Sequence, residues 1–141
     1  MTLRLSFARN ALAALAIGAL GAAAIAAVPQ QPVLDHFAAL DKAAGGDGTF
    51  SAARGKALFL SKHTANAKLT SCTSCHTSDP HNVGHLPTGR QLKPMAVSLS
   101  PQRFTRLAKV EKWSLRNCKT VIGRACTAKE IGDYITFMMS Q

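Results

Sequence analysis

The sequence lacks the residue groupings that mark several common classes of protein. It has only four cysteines in 141 residues, and no second close ligand pair accompanies Cys72 and Cys75, as a zinc site would need. No βαβ pattern surrounds these two cysteines, which argues against a thioredoxin-like redox pair. The net charge is +10, yet no nucleic-acid recognition motif comes with it. These absences disfavour a zinc protein, a thiol oxidoreductase and a nucleic-acid-binding protein.

The strongest functional signal is the stretch Cys72-Thr73-Ser74-Cys75-His76. Two thiols three positions apart, with a histidine directly after the second, have the spacing of c-type haem attachment. In such a site both sulfurs form thioethers with the porphyrin and the imidazole binds the iron. The motif therefore predicts one covalent haem c on Cys72 and Cys75, with His76 as the proximal iron ligand.

The first 27 residues have the pattern of a secretory signal peptide. Two arginines precede an apolar run over residues 11–25, and small residues follow it. We expect cleavage after Ala26 or Ala27, so that residues 28–141 form one monohaem cytochrome c domain in the periplasm. The alternative is an uncleaved membrane anchor, but the apolar run is short for a transmembrane span.

Hydrophobic periodicity, together with the haem motif, predicts an all-α fold, a small helical domain around one haem. Apolar residues recur at helical spacing in four stretches. Thr49 or Ser51 can cap the second helix, and residues 127–130 match a capping box for the last. Because glycine is unfavourable inside a helix, Gly55 indicates that another backbone approaches closely there, most naturally the last helix. The predicted helices cover residues 33–43, 51–60, 101–117 and 127–138.

The third predicted helix, which we expect to start at Ser100-Pro101, places an amide on its apolar face. Val110, Trp113 and Asn117 follow one another at steps of three and four residues. A buried amide without a partner costs about 1–3 kcal/mol. We therefore expect Asn117 either to hydrogen-bond to the backbone or to bind another group.

Few side chains are eligible as the second iron ligand. In small c-type cytochromes this ligand usually comes from the segment before the last helix, but residues 117–126 contain no methionine or histidine. Met95 is the eligible methionine, since Met138 and Met139 belong to the last predicted helix. Two histidines follow His76 by only five and nine residues, too few to cross easily to the other haem face at about 3.5 Å per residue. The disfavoured histidines are His63, His81 and His85.

Several runs in the second half of the chain resemble one family, the sphaeroides haem protein (SHP) family of class I cytochromes c. The resemblance covers roughly residues 53–141 and includes the haem motif. Its most specific residues are Val110-Glu111-Lys112-Trp113, Arg116-Asn117-Cys118, Val121-Ile122-Gly123-Arg124 and Cys126-Thr127.

The resemblance implies a ligand set and a function. It implies His76 and Asn117 as the ligands of the ferric iron and a disulfide between Cys118 and Cys126, a pairing that an oxidising compartment also favours. It further implies that Asn117 leaves the iron on reduction, that the freed site binds oxygen or nitric oxide, and that a dihaem cytochrome c donates electrons. The positive charge fits an acidic redox partner or a membrane surface.

Two alternatives remain. If Met95 binds the iron, the protein is an ordinary electron-transfer cytochrome with a closed sixth position. If the open haem turns over oxygen, nitric oxide or peroxide, the protein is an enzyme. The sequence shows no distal acid or base of the kind that peroxidases use, so electron transfer and ligand binding are favoured over catalysis.

Overall fold

The computed structural model describes residues 28–141, and the predicted signal peptide lies outside these residues. The fold is all-α, as predicted, with five helices and one short antiparallel hairpin in the described chain. Gly84 pairs with Leu92 and His85 with Gln91 in the hairpin, which the sequence analysis did not predict. The elements are α1 (Gln31–Ala43), α2 (Ala52–Leu60), α3 (Thr73–His76), β1 (Gly84–His85), β2 (Gln91–Leu92), α4 (Leu107–Val121) and α5 (Ala128–Met139).

Two predicted caps are present. The Ser51 hydroxyl accepts a hydrogen bond from the Arg54 backbone N–H at the start of α2, so Ser51, and not Thr49, is the cap. Thr127 and Glu130 form a reciprocal capping box at the start of α5. Each cap satisfies N–H groups that have no partner within the helix, which fixes where α2 and α5 begin.

Helices α2 and α5 cross at Gly55, as the sequence predicted. A Cβ atom at this position would overlap the carbonyl of Asp133 and crowd the Cβ of Phe137. Next to the crossing, Phe59 is fully buried, and its ring centroid lies 5.8 Å from that of Phe137 and 6.1 Å from that of Tyr134. The missing side chain thus allows the close approach that buries these rings.

The core has two clusters that share α5. One joins α1 to α4 and α5 through the buried residues Val33, Leu34, Phe37, Val110 and Ile135. The other joins α2 and α5 to the segment before α4 through Phe59, Met95, Phe137 and Met138. No helix within residues 28–141 is both long and apolar enough to cross a membrane.

The predicted start of the third helix at Ser100-Pro101 is wrong. Residues 101–104 form turns, and α4 begins at Leu107 after Arg106. Phe104 has a φ of +61°, a left-handed conformation that ends any helical run through it. Serine and proline favour turns as well as helix starts. Here the turn is stabilised by Gln30, which is far away in the sequence and whose side chain donates a hydrogen bond to the carbonyl of Pro101.

Candidate haem site

A cavity of about 1140 Å³ is lined by residues of α3, α4, α5 and the connection between α3 and α4. The three side chains that the motif predicts to hold a haem, those of Cys72, Cys75 and His76, line it. The backbone of the short helix α3 brings them together, because the His76 N–H donates to the Cys72 carbonyl over 3.1 Å. One turn of helix thus presents two thiols and one imidazole to a single cavity.

Burial shapes the protonation of these three groups. It raises the pKa of the Cys72 and Cys75 thiols. Burial, with a smaller effect of the nearby Arg103 charge, lowers the pKa of His76 to about 4. The imidazole is therefore neutral at physiological pH, which is the form that binds a metal ion.

Gly84 holds α3 in place from the hairpin. A Cβ atom there would overlap the carbonyl oxygen of Cys75 and lie 3.0 Å from the Cα of His76. Only a residue without a side chain fits against the motif at this distance. The sequence analysis did not predict this contact of Gly84 with α3. The sequence showed only that a glycine occurs in the loop after the motif.

Asn117 faces the cavity from α4. It is exposed there, and its amide makes no hydrogen bond to any described residue. Trp113, one turn earlier, also lines the cavity and keeps 39% of its surface exposed. The sequence predicted a partner for the Asn117 amide. No described residue is that partner, so the amide is available to a group bound in the cavity.

Met95, the alternative ligand, has a different environment. It is 6% exposed and belongs to the cluster of Phe59, Phe137 and Met138. Its backbone N–H donates to the carbonyl of Pro80 over 2.8 Å, in the loop that follows α3. Met95 also lines the cavity, but it packs with α2 and α5 and not with α4.

The disulfide that the family resemblance implies is present. Cys118 and Cys126 are joined with their Cα atoms 5.6 Å apart. The bond links the last turn of α4 to the segment before α5, directly after Asn117. It therefore restrains the backbone on which Asn117 is carried.

The other four histidines do not line the cavity. The His63 ring lies 2.8 Å from the Ser61 hydroxyl, and the His81 ring lies 2.9 Å from the Asp79 carboxylate. His36 lies 3.3 Å from Glu111. His63, His81 and His36 thus each have a polar neighbour outside the cavity.

The cavity fits a haem c. It combines two unpaired thiols at the attachment spacing, a neutral imidazole beside them and an amide on another helix. Its charged lining is mostly positive, and the one acidic side chain among its lining residues is Glu130. The Glu130 carboxylate accepts from Arg124 over 2.7 and 2.8 Å and from the Thr127 N–H over 2.8 Å. The basic lining residues are Arg90, Lys93, Arg103, Arg106, Lys109 and Arg116.

Sequence comparisons give two relatives and one family model. Residues 45–138 match the model described as a domain of unknown function, DUF1924. The chain is 47% identical over 91 residues to cytochrome c-type protein SHP of Cereibacter sphaeroides, covering 64% of this chain and 70% of the relative. It is 34% identical over 89 residues to cytochrome c'' of Methylophilus methylotrophus, covering 62% of each.

Solved structures of the same two kinds of protein share the fold. The structure of oxidised SHP, described as an oxygen-binding cytochrome c, matches with a TM-score of 0.72 and 40% identity over 79% of this chain and 96% of that chain. Oxidised cytochrome c'' matches with a TM-score of 0.69 and 28% identity over 80% of this chain and 94% of that one.

Proposed function

The chain belongs to the SHP family of cytochromes c, and from this we propose that it is an exported electron-transfer protein with a gated ligand site at its haem. Cys72 and Cys75 hold one covalent haem c, His76 is the proximal iron ligand, and Asn117 is the distal ligand of the ferric state. Residues 1–27 direct export to the periplasm and are removed, leaving residues 28–141.

The observation that supports this ligand set most directly is the contrast between Asn117 and Met95. Asn117 lies in the cavity with an amide that has no hydrogen-bond partner among the described residues, whereas Met95 is packed among apolar side chains of α2 and α5. A thioether in such a cluster fills space. The Asn117 amide would not have to break a hydrogen bond to a described residue in order to bind the iron.

A haem bound here would supply an iron that changes oxidation state, with His76 of α3 and Asn117 of α4 as the residues that would hold it. Asn117 can act as a gate because a neutral amide oxygen is held at the metal mainly by charge–dipole attraction, which weakens when the iron loses a positive charge. We expect Asn117 to leave on reduction and to free a coordination position for a diatomic ligand. The neighbouring disulfide limits how far its backbone moves.

The ligand class follows from the relatives. SHP is named an oxygen-binding cytochrome c, and we extend this property to the present chain, with oxygen and nitric oxide as the candidate ligands. Catalysis on oxygen, nitric oxide or peroxide is less well supported. Glu130, the one carboxylate in the described cavity lining, is engaged by Arg124 and by the start of α5, so it is not free to transfer protons.

The positive charges of the cavity lining suit an acidic redox partner. Arg106, Lys109 and Arg116 are exposed residues that also line the cavity, so a partner docking there meets positive charge close to the haem. Complementary charge of this kind mainly accelerates association. A dihaem cytochrome c is the proposed donor, and the same surface would support contact with an anionic membrane.

Two matched variants test the ligand assignment. Asn117→Ala and Met95→Leu are compared with wild type by optical and electron paramagnetic resonance spectra of the ferric and ferrous holoprotein, followed by carbon monoxide addition. We expect Asn117→Ala to change the ferric spectrum, Met95→Leu to leave it unchanged, and ferrous wild type to bind carbon monoxide rapidly. A ferric spectrum that changes only in Met95→Leu, with an unreactive ferrous form, would establish the ordinary electron carrier.

A further inference from the structure

Helix α4 carries a row of basic side chains that the iron ligands do not explain. Lys109, Lys112, Arg116 and Lys119 follow one another at steps of three, four and three residues. On a helix such steps place the residues on one face. All four residues are exposed, and at about 1.5 Å per residue the row is about 15 Å long. We call these four residues the basic stripe.

No acidic residue of the chain neutralises the basic stripe. The sequence has seven acidic residues, all of them after residue 28. None of the ion pairs formed within residues 28–141 includes a residue of the stripe. Glu111, the one acidic residue of α4, lies 3.3 Å from His36 of α1. Asp35 accepts a hydrogen bond from Gln31. The acidic residues that pair elsewhere are Asp41, Asp47, Asp79, Glu130 and Asp133.

Two large apolar side chains border the basic stripe. Trp113 and Leu115 each lie three or four residues from two members of the stripe, and they are 39% and 48% exposed. The Trp113 ring centroid lies 6.0 Å from Lys112 Nζ and 5.5 Å from Arg116 Cζ. Leu115 does not line the haem cavity, so a haem would not cover it. The cations and the apolar side chains therefore form one continuous surface.

The composition of this surface favours a lipid surface over a protein as its partner. Three of the four stripe residues are lysines, and lysine is depleted in protein–protein interfaces. A lysine ammonium acts as a point charge with no fixed binding geometry, which suits a layer of mobile phosphate groups. Four or more basic residues on a helix, bordered by tryptophan and leucine, are typical of binding to anionic lipid headgroups.

We propose that the basic stripe binds the anionic phospholipid headgroups of a membrane, with Trp113 and Leu115 at the boundary between the headgroups and the acyl chains. This inference rests on the proposed function in requiring export to a compartment that a membrane bounds, and it holds whichever side chain is the distal iron ligand. Lys109 and Arg116 also line the haem cavity. Binding by the stripe therefore holds this cavity close to the membrane surface.

The test uses the holoprotein and vesicles of phosphatidylcholine, prepared with and without phosphatidylglycerol. Lys112→Gln combined with Lys119→Gln removes two charges of the stripe, and neither lysine lines the haem cavity. Lys56→Gln combined with Lys62→Gln is the matched control. These two lysines are also exposed, lie outside the cavity lining and form no ion pair within residues 28–141. Co-sedimentation at physiological salt measures the partition coefficient of each protein.

We expect wild type to bind only the vesicles that contain phosphatidylglycerol. A basic side chain at an anionic membrane surface raises affinity about fivefold, so the double variant in the stripe should bind about 25-fold more weakly. The control should stay within about threefold of wild type, because charges more than about 8 Å from the membrane are largely screened. Equal losses in the two double variants would show that only net charge matters and would overturn the proposal.

Leu115→Ser tests the apolar part of the surface without changing any charge. Burial of its exposed area in the membrane boundary should contribute about three- to tenfold in affinity, and the variant should lose that factor. Leu60→Ser is the control, because Leu60 is 41% exposed and lies outside the cavity lining. Unchanged partitioning of Leu115→Ser would overturn the placement of Leu115 in the membrane.

Soluble poly-glutamate distinguishes a lipid surface from an acidic protein. Binding of wild type to poly-glutamate but not to phosphatidylglycerol vesicles would overturn the proposal and identify an acidic protein as the partner of the basic stripe. Binding to neither would show that the stripe is a solvated face, which also overturns the proposal. Failure of the proposed function is separate, since it would appear as an unchanged ferric spectrum in Asn117→Ala, a measurement that needs no membrane.

Discussion

Arg54 of α2 and Asp133 of α5 form a bidentate ion pair across the helix crossing. The Nε to Oδ2 distance is 2.7 Å, and the Nη2 to Oδ1 distance is 2.8 Å. Asp133 is 4% exposed and also accepts a hydrogen bond from the Ser51 N–H over 2.6 Å. The Asp133 carboxylate is thus buried where α2 and α5 cross at Gly55. It accepts hydrogen bonds from three donors, two on Arg54 and one on Ser51.

We expect Arg54→Met to lower the free energy of unfolding of the ferric holoprotein by more than Arg124→Met does. The substitution leaves the buried Asp133 carboxylate with one of its three donors, and an unpaired buried charge is strongly destabilising. The loss of stability is smaller than for a fully buried pair, because the Arg54 side chain is half exposed. Arg124→Met is the control, because the Arg124 side chain is 55% exposed and such pairs contribute less than about 1 kcal/mol. Denaturant titration gives both values, and equal losses would contradict the prediction.

Gly84→Ala should disturb the haem motif itself. The new methyl group would collide with the Cys75 carbonyl and crowd His76, so α3 must move and take the His76 imidazole with it. We expect a shifted Soret band and a loss of about 1–3 kcal/mol, typical of overpacking.

Gly89→Ala is the matched control for Gly84→Ala. Gly89 lies in the turn of the same hairpin with a φ of +83°, and nothing lies within 4 Å of the position that its Cβ would take. Alanine there costs roughly 1–2 kcal/mol of backbone strain but should leave the absorption spectrum unchanged. A Soret shift of the same size in both variants would show that the hairpin as a whole, and not the contact at Gly84, positions the motif.

Removing the disulfide by Cys118→Ser with Cys126→Ser should lower stability and loosen the ferric ligand. Closing a loop of sequence separation 8 contributes roughly 2.5 kcal/mol on the chain-entropy model. Because Asn117 precedes Cys118, we expect the ferric ligand to dissociate at a lower temperature than the one at which the protein unfolds. Thermal melts followed separately at the Soret band and by far-ultraviolet circular dichroism measure the two transitions. Coincident transitions at the wild-type temperature would refute this prediction.

Acid should weaken the contact of α5 with the end of α1 and the loop that follows it. Lys129 Nζ lies 2.9 Å from Asp41 Oδ2 and also contacts Asp47. The Lys129 ammonium, and next the backbone N–H groups of Gly48 and Thr49, lower the pKa of both carboxyl groups below the ordinary 3.8. A lowered folded-state pKa means that the stabilisation is fully present above about pH 4 and is lost as the pH falls further.

Lys129→Gln tests this dependence on pH. The variant should be less stable than wild type at pH 6, and the difference should shrink as the pH falls below 4, because the acidic groups then lose their charge in both proteins. The unfolding midpoints of the two holoproteins between pH 2.5 and pH 7 measure it. A difference that is the same at every pH would show that charge at Lys129 is not the cause.

Those parts of the fold that depend on local chemistry were predictable from the sequence. The capping box at Thr127 and a cap at Thr49 or Ser51 follow from the residues' own preferences, and a glycine inside a helix indicated the close approach at Gly55; the structure confirms the capping box and the approach and selects Ser51 as the cap. The spacing of the haem motif likewise depends on five consecutive residues, so it could be recognised without the fold.

Features that depend on distant contacts could not be predicted. The turn at Pro101 is held by Gln30, which is 71 residues away in the sequence, and a local rule for Ser-Pro therefore gave a helix start six residues too early. The importance of Gly84 depends on the hairpin that returns it to Cys75.

The buried side chain of Gln30 also bears on the proposed removal of the amino-terminal residues. Gln30 lies only three residues beyond Ala27, the later of the two expected cut sites, yet its side chain secures the segment that carries Arg103. Cleavage even a few residues after Ala27 would remove Gln30, and the segment at the cavity wall would lose the hydrogen bonds that Gln30 donates to it. If residues 1–27 are removed as proposed, the position of the cut therefore decides whether Gln30 remains to hold this segment of the haem cavity.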